Sequence, residues 1–144
     1  TPGTVLRYRK KISGPLLDRI DLQIFVPRET YSNLSNLKSG EISSEIRKKV
    51  VNTRKIQSER LKQFGILTNS EISFKNINQI CPLSPKAETI LAKFVEKNNI
   101  SGRGYHKILK ISRTIADIDY KDQIQDYHIS EAVGFRLSES GQLI

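Results

Sequence analysis

Ser101-Gly102-Arg103-Gly104-Tyr105-His106-Lys107-Ile108-Leu109-Lys110-Ile111-Ser112-Arg113-Thr114-Ile115-Ala116-Asp117-Ile118 is the stretch that decides how this chain folds. A serine suited to accept the first free backbone N–H groups precedes a run whose apolar residues recur at helical spacing. On a helical wheel Tyr105, Ile108, Leu109, Ile115 and Ala116 share one face, while Arg103, His106, Lys110 and Arg113 fall on another. The first face asks for a core and the second offers positive charge. Arg103 lies in the first turn, where the helix dipole disfavours a cation by roughly a few tenths of a kcal/mol and free N–H groups attract anions. Gly102 and Gly104 on either side permit a ligand to approach closely. Arg103 is therefore read either as a phosphate ligand or as a solvated side chain at a frayed helix start. Arg113 has Asp117 four residues on, the spacing of an ordinary helix-surface pair.

Moving outward, Ser84-Pro85 opens a helix whose Ala87, Ile90, Leu91, Phe94 and Val95 form a core stripe. Glu41 to Phe64 reads as a long helix ended by Gly65. It carries Ile42, Ile46, Val50, Leu61 and Phe64 on one side and seven Lys or Arg residues around the rest. Phe74 to Ile80 is a shorter helical segment. A last helix starts near His128 or Ile129, with Ala132, Val133 and Phe135 available for packing and His128 read as local structure.

Toward the start, Ile12-Ser13-Gly14-Pro15-Leu16-Leu17-Asp18-Arg19-Ile20-Asp21-Leu22 sets an arginine between a short apolar turn and an alternating run, Leu22, Ile24 and Val26, that reads as a strand ending at Pro27. A basic helical turn is expected over Thr4 to Lys11. Arg19 is either paired with Asp18 or Asp21, or held to present planar, permanently charged donors to an anion on another surface. A lone strand needs partners, and no other strand pattern is evident. The expectation is a piece of a larger sheet domain, with Thr1 in the middle of a parent protein. Residues 28–40, rich in Ser, Asn and Gly, read as a linker.

The 144 residues suffice for one domain with a real core and carry a formal charge of +9 spread through nearly every segment. That charge is compatible with a polyanionic partner and does not by itself establish one. Cys81 is the single cysteine, so an intramolecular disulfide is excluded, and with two distant histidines it makes no zinc site by spacing. No run approaches the ~20 apolar residues that span a bilayer, and the expected location is cytoplasmic, with no membrane partner. No Gly-x-x-x-x-Gly-Lys-[Ser/Thr] loop occurs, and no apolar strand ends in paired acids that would hold magnesium.

Tyr8-Arg9-x-Lys11-Ile12-Ser13-Gly14-Pro15-Leu16-Leu17-Asp18-Arg19-Ile20-Asp21-Leu22, with Arg113-Thr114-Ile115-Ala116-Asp117 far downstream, resembles the C-terminal part of ComM-type proteins, magnesium-chelatase-like AAA+ ATPases. The resemblance implies a mainly α fold: a helical AAA+ lid preceded by a short helix and one strand left from the α/β ATPase core. It divides the chain into the end of that core (1–27), a linker (28–40) and the lid (41–144). It implies that Arg19 matches the arginine finger reaching a neighbour's ATP, and that Arg103 matches the sensor-2 arginine reaching the ATP of its own subunit. ATP and Mg2+ would belong to the parent, with no metal ligands and no tightly bound cofactor in this stretch. The parent would be an ATP hydrolase, and this stretch, lacking the phosphate loop, inactive by itself. Partners would be the remaining AAA+ core, a homo-hexamer and DNA during branch migration in natural transformation. Lys48 and Lys49 are the nucleic-acid candidates on the long helix. Two other readings are a magnesium-chelatase ATPase subunit and a non-enzymatic basic helical module that binds nucleic acid.

Overall fold

The computed structural model describes residues 14–17, 19–24, 26–31, 35 and 40–136. The α-helices that lie wholly among the described residues are α1 (Gly14–Leu17), α2 (Ser43–Leu61), α3 (Ile77–Ile80), α4 (Pro85–Lys97), α5 (Gly102–Ile118) and α6 (Asp126–Gly134). Single 3-10 turns at Lys62–Phe64, Asn69–Glu71 and Phe74–Asn76 join α2 to α3. The protein is mainly helical, as the resemblance implies.

The serines predicted to start two helices do so by capping. Ser84 Oγ accepts from the Ala87 N–H at 3.2 Å, and Ser101 Oγ accepts from the Gly104 N–H at 3.0 Å. Pro85 occupies the first turn of α4, where its missing N–H costs nothing. Gly65, at φ 68°, closes the 3-10 turn that ends the long helix, a conformation other residues resist. The helices α4 and α5 stop in the same way without glycine: Asn99 (φ 48°) and Tyr120 (φ 57°) take the left-handed position. The N–H groups of Ile100 and Lys121 then return to the carbonyls of Val95 and Ala116, at 3.1 and 2.8 Å. The last helix starts at Asp126, two residues before the expected His128. Gln125 is its cap, and the Gln125 N–H donates to His128 Nδ1 at 2.9 Å.

The core forms where α5 packs against α6 and α2, and α4 against α6. Ile108, Leu109 and Ala116 of α5 meet Leu91, Ile129, Ala132, Leu61, Ile72, Ile77 and Ile80 in one buried cluster. An isolated parallel bridge between Leu83 and Ile124 ties the start of α4 to the loop before α6.

Three expectations are corrected. Leu22, Ile24 and Val26 form no strand among the described residues, and Ile24 is 71% and Val26 81% exposed. Alternation sets only which way side chains point, and a ladder needs a second backbone to bond. The long helix is buried at Thr53, Gln57 and Leu61, while Ile42, Ile46 and Val50 stay exposed. These positions continue a single helical stripe, so what differs along it is where the rest of the domain reaches. Lastly, Arg113 and Asp117 pair as the spacing predicts, with Nε to Oδ1 at 3.0 Å, yet both are fully buried rather than on the surface. The Thr4–Lys11 turn, Asp18 and most of the central linker lie outside the described residues.

Candidate functional site: a cationic cleft

One side of α5 faces a cleft of about 980 Å³. Arg103, His106, Lys107 and Lys110 line it from the helix, and Arg19 and Asp21 approach from the segment after α1. Four permanent cations among the lining residues face two carboxylates, Asp21 and Glu131. The apolar part of the wall is made by Leu22, Phe74, Ile111, Ile115, Ile118 and Phe135. A cleft of this make-up suits a compact polyanion attached to a flat apolar group.

Arg103 is exposed and has no hydrogen-bond or ion-pair partner among the described residues. It therefore keeps all five guanidinium donors for a ligand. Arg19 follows α1 in a turn closed by its own N–H on the Leu16 carbonyl at 3.0 Å, and its Nη1 donates to the Pro15 carbonyl at 3.3 Å. Among the described residues that is the guanidinium's single bond, which leaves most of its donors for other acceptors. Lys110 is engaged, donating from Nζ to the Ser70 carbonyl at 2.8 Å.

His106 stands edge-on against Phe74, with ring centroids 3.9 Å apart. Burial, then the nearby Lys110 charge, lowers its pKa, so near neutral pH it is not one of the cleft's cations. Arg113 leaves the basic face altogether. It turns inward to Asp117 and donates to the backbone carbonyls of Asp122, at 2.6 Å, and Lys121.

The cleft brings Arg19 and Arg103 together, whereas Lys48 and Lys49 lie elsewhere. On the exposed start of α2, Lys48 pairs with Glu45 at 2.8 Å and Lys49 with Glu41 at 2.5 Å. The hydrogen bond and charge of Glu41 raise the Lys49 pKa. Gly102 opens onto free space, as a ligand-approach site requires. Gly104 serves packing instead, since a Cβ there would sit 2.8 Å from Ile100 Cγ2. Lys107 was not singled out in the sequence, although it follows Arg103 by one helical turn, and that spacing was the available signal. Among the described residues no three His, Cys, Asp or Glu side chains converge as metal ligands, and no helix is long and apolar enough to cross a membrane.

Residues 40–136 match the family described as magnesium chelatase, subunit ChlI C-terminal, and residues 1–34 match magnesium chelatase, subunit ChlI. The chain belongs to this magnesium-chelatase-like family. The competence protein ComM of Haemophilus influenzae is 42% identical over 94% of the chain. The uncharacterized protein YifB of Salmonella typhimurium is 35% identical over 94%, and that of Escherichia coli 34% identical over 94%. The chain spans 26% of the length of each of these relatives. The helices α2 to α6 thus lie in the part of the chain that matches the family's C-terminal model.

Proposed function

We propose that the chain is the end of the ATPase core and the helical lid of a ComM-like AAA+ motor. The motor would assemble as a hexamer and use ATP to drive branch migration on DNA taken up by the cell. The observation that carries this reading is the cleft in which Arg19 and Arg103 stand together among further cations. Its charge and its apolar wall fit a nucleoside triphosphate. Arg19 is the candidate arginine finger, and Arg103, which the resemblance makes a sensor-2 arginine for its own subunit's ATP, is here placed instead on the nucleotide that Arg19 serves. Magnesium would be held by acids elsewhere in the parent, and this chain would supply phosphate-facing cations. When charge accumulates on the transferring phosphoryl group, preorganised guanidinium donors stabilise it with little reorganisation. Location in the cytoplasm accords with that role.

Sharing one cleft bears on which nucleotide each arginine serves. We assign both to a single triphosphate: if Arg19 reaches the nucleotide of the neighbouring subunit, Arg103 reaches it too. The test uses the full-length parent, in which Arg19→Ala or Arg103→Ala should each lower ATP turnover, by about 10³ to 10⁵ for a lost finger. Each variant is then mixed with subunits lacking the phosphate-loop lysine, which still supply intact arginines. Partial recovery of both variants is the expected result. Recovery of Arg19→Ala without Arg103→Ala would return the two residues to separate nucleotides, and full activity of both variants unmixed would remove them from the site.

A further inference from the structure

Lys107 is the buried one of the cleft's four cations. Its side chain is 10% exposed, and its Nζ, sealed from solvent, makes no aligned hydrogen bond. Among the described residues its one ionic partner is Asp21 Oδ1 at 2.7 Å, on a side chain that is 64% exposed. An ammonium has three donors, and a buried one left under-bonded is costly. Asp21, mostly in water already, loses little on being let go. The exchange is thus asymmetric: a second anion gains a buried cation, and the carboxylate it displaces rehydrates cheaply.

The same ion pair holds the Arg19 segment in place. Asp21 meets α5 through Lys107, and the Gln23 N–H donates to the Phe135 carbonyl at the end of α6 at 2.9 Å. Lys107 lines the cleft one turn from both Arg103 and Lys110. An anion drawn in by Arg103 therefore arrives beside the Lys107 ammonium.

We propose that the Asp21–Lys107 ion pair is a clasp opened by phosphate: a polyphosphate in the cleft takes Lys107 from Asp21 and loosens the Arg19 segment from α5 and α6. This rests on reading the cleft as a triphosphate site and adds a way for occupancy to be signalled. No covalent step is involved. The arrival of phosphate thereby frees the Asp21 end of the segment, while Arg19, turned onto the same anion, stays at the site.

The experiment titrates the chain with inorganic tripolyphosphate by calorimetry and follows backbone amide exchange at Gln23 by NMR. In the wild type, saturation should speed Gln23 exchange by about tenfold or more, as local opening does. Asp21→Asn should bind tripolyphosphate about three- to tenfold more tightly and show fast Gln23 exchange without any anion. Lys107→Met should weaken binding and cancel the gain in the double variant. Should Lys107→Met fail to fold, the Asp21→Asn comparison decides by itself. Binding that falls in Arg103→Ala, with Asp21→Asn identical to wild type and Gln23 protection unchanged, overturns the clasp and leaves the triphosphate reading standing. Absence of binding overturns both. A short oligothymidylate, which offers phosphate as nucleic-acid backbone, should leave Gln23 exchange unaltered, and acceleration by it instead of tripolyphosphate also overturns the clasp.

Discussion

Asp117 is gripped from another helix by Arg60, whose Nη1 and Nη2 reach its two carboxylate oxygens at 2.5 and 2.8 Å across 57 residues of sequence. Arg113 Nε and Asn69 Nδ2 complete the ring around that buried carboxylate, at 3.0 and 2.8 Å. Two guanidinium groups thus depend on a single fully buried anion. Removing the shared partner of buried charges costs about 3–5 kcal/mol. Asp117→Ala should therefore lower stability to urea by about that amount, and by more than Arg60→Ala, because Arg60 is partly exposed. Equal losses in the two variants would mean that Arg113 does not depend on Asp117.

The two glycines beside Arg103 should respond in opposite ways to alanine. Gly102 has open space around it, so Gly102→Ala should be neutral or stabilising by up to ~1 kcal/mol, the helix-propensity gain. At Gly104 the new methyl would press on the branched Ile100 side chain and approach Arg136 Nη2 and Ser101 Oγ. Overpacking of that kind costs about 1–3 kcal/mol. Thermal melts of the two variants check the contrast, which fails if Gly104→Ala melts above the wild type.

A pH dependence follows from His106. Its folded-state pKa lies below the ordinary value, chiefly through burial, so the unfolded chain takes up the proton first. The stability tied to the neutral ring is complete above the unfolded pKa of about 6.5 and declines as pH falls through it toward the folded value. Between pH 7.5 and 5.5 the urea midpoint of the wild type should drop further than that of His106→Gln. Parallel pH profiles would show that the ring titrates as it does in the unfolded chain.

DNA binding, if it uses the exposed start of α2, should depend on Lys48 and Lys49 despite their pairing with Glu45 and Glu41. Exposed pairs of this sort contribute little and exchange partners readily. Affinity should fall steeply with salt, and Lys48→Glu with Lys49→Glu should both weaken binding and flatten the salt slope by about one unit per lost phosphate contact. An unchanged slope in a mobility-shift titration would place the DNA path away from this helix.

What could be read from sequence was what is decided locally. Ser84, Ser101 and Gly65 act within a few residues of themselves, and the helices begin or end where those residues lie. The stripe on α5 was legible because a buried helix face repeats on itself. Leu22 to Val26 misled because alternation is a local signal for a structure that needs a distant backbone. Ile46 and Val50 misled because periodicity places a face without saying what covers it. The site divided along the same line. Arg19 and Arg103 were singled out along the sequence, and their lining of one cleft was not, since contacts between distant segments leave no period. The same holds for Arg60 on Asp117 and for Asp21 on Lys107, where neither partner signals the other along the chain.

The buried positions of the long helix α2, Thr53, Gln57 and Leu61, all lie in its C-terminal half. Ser43 stands ten residues before Thr53, which at 1.5 Å per residue is an arm of ~15 Å projecting beyond the first of these buried positions. A helix is stiff over that length, so the arm works as a pointer. A tilt of about 10° at Thr53 would carry the far end by ~2.6 Å, turning a slight readjustment of the packed helices into a displacement the size of a hydrogen bond.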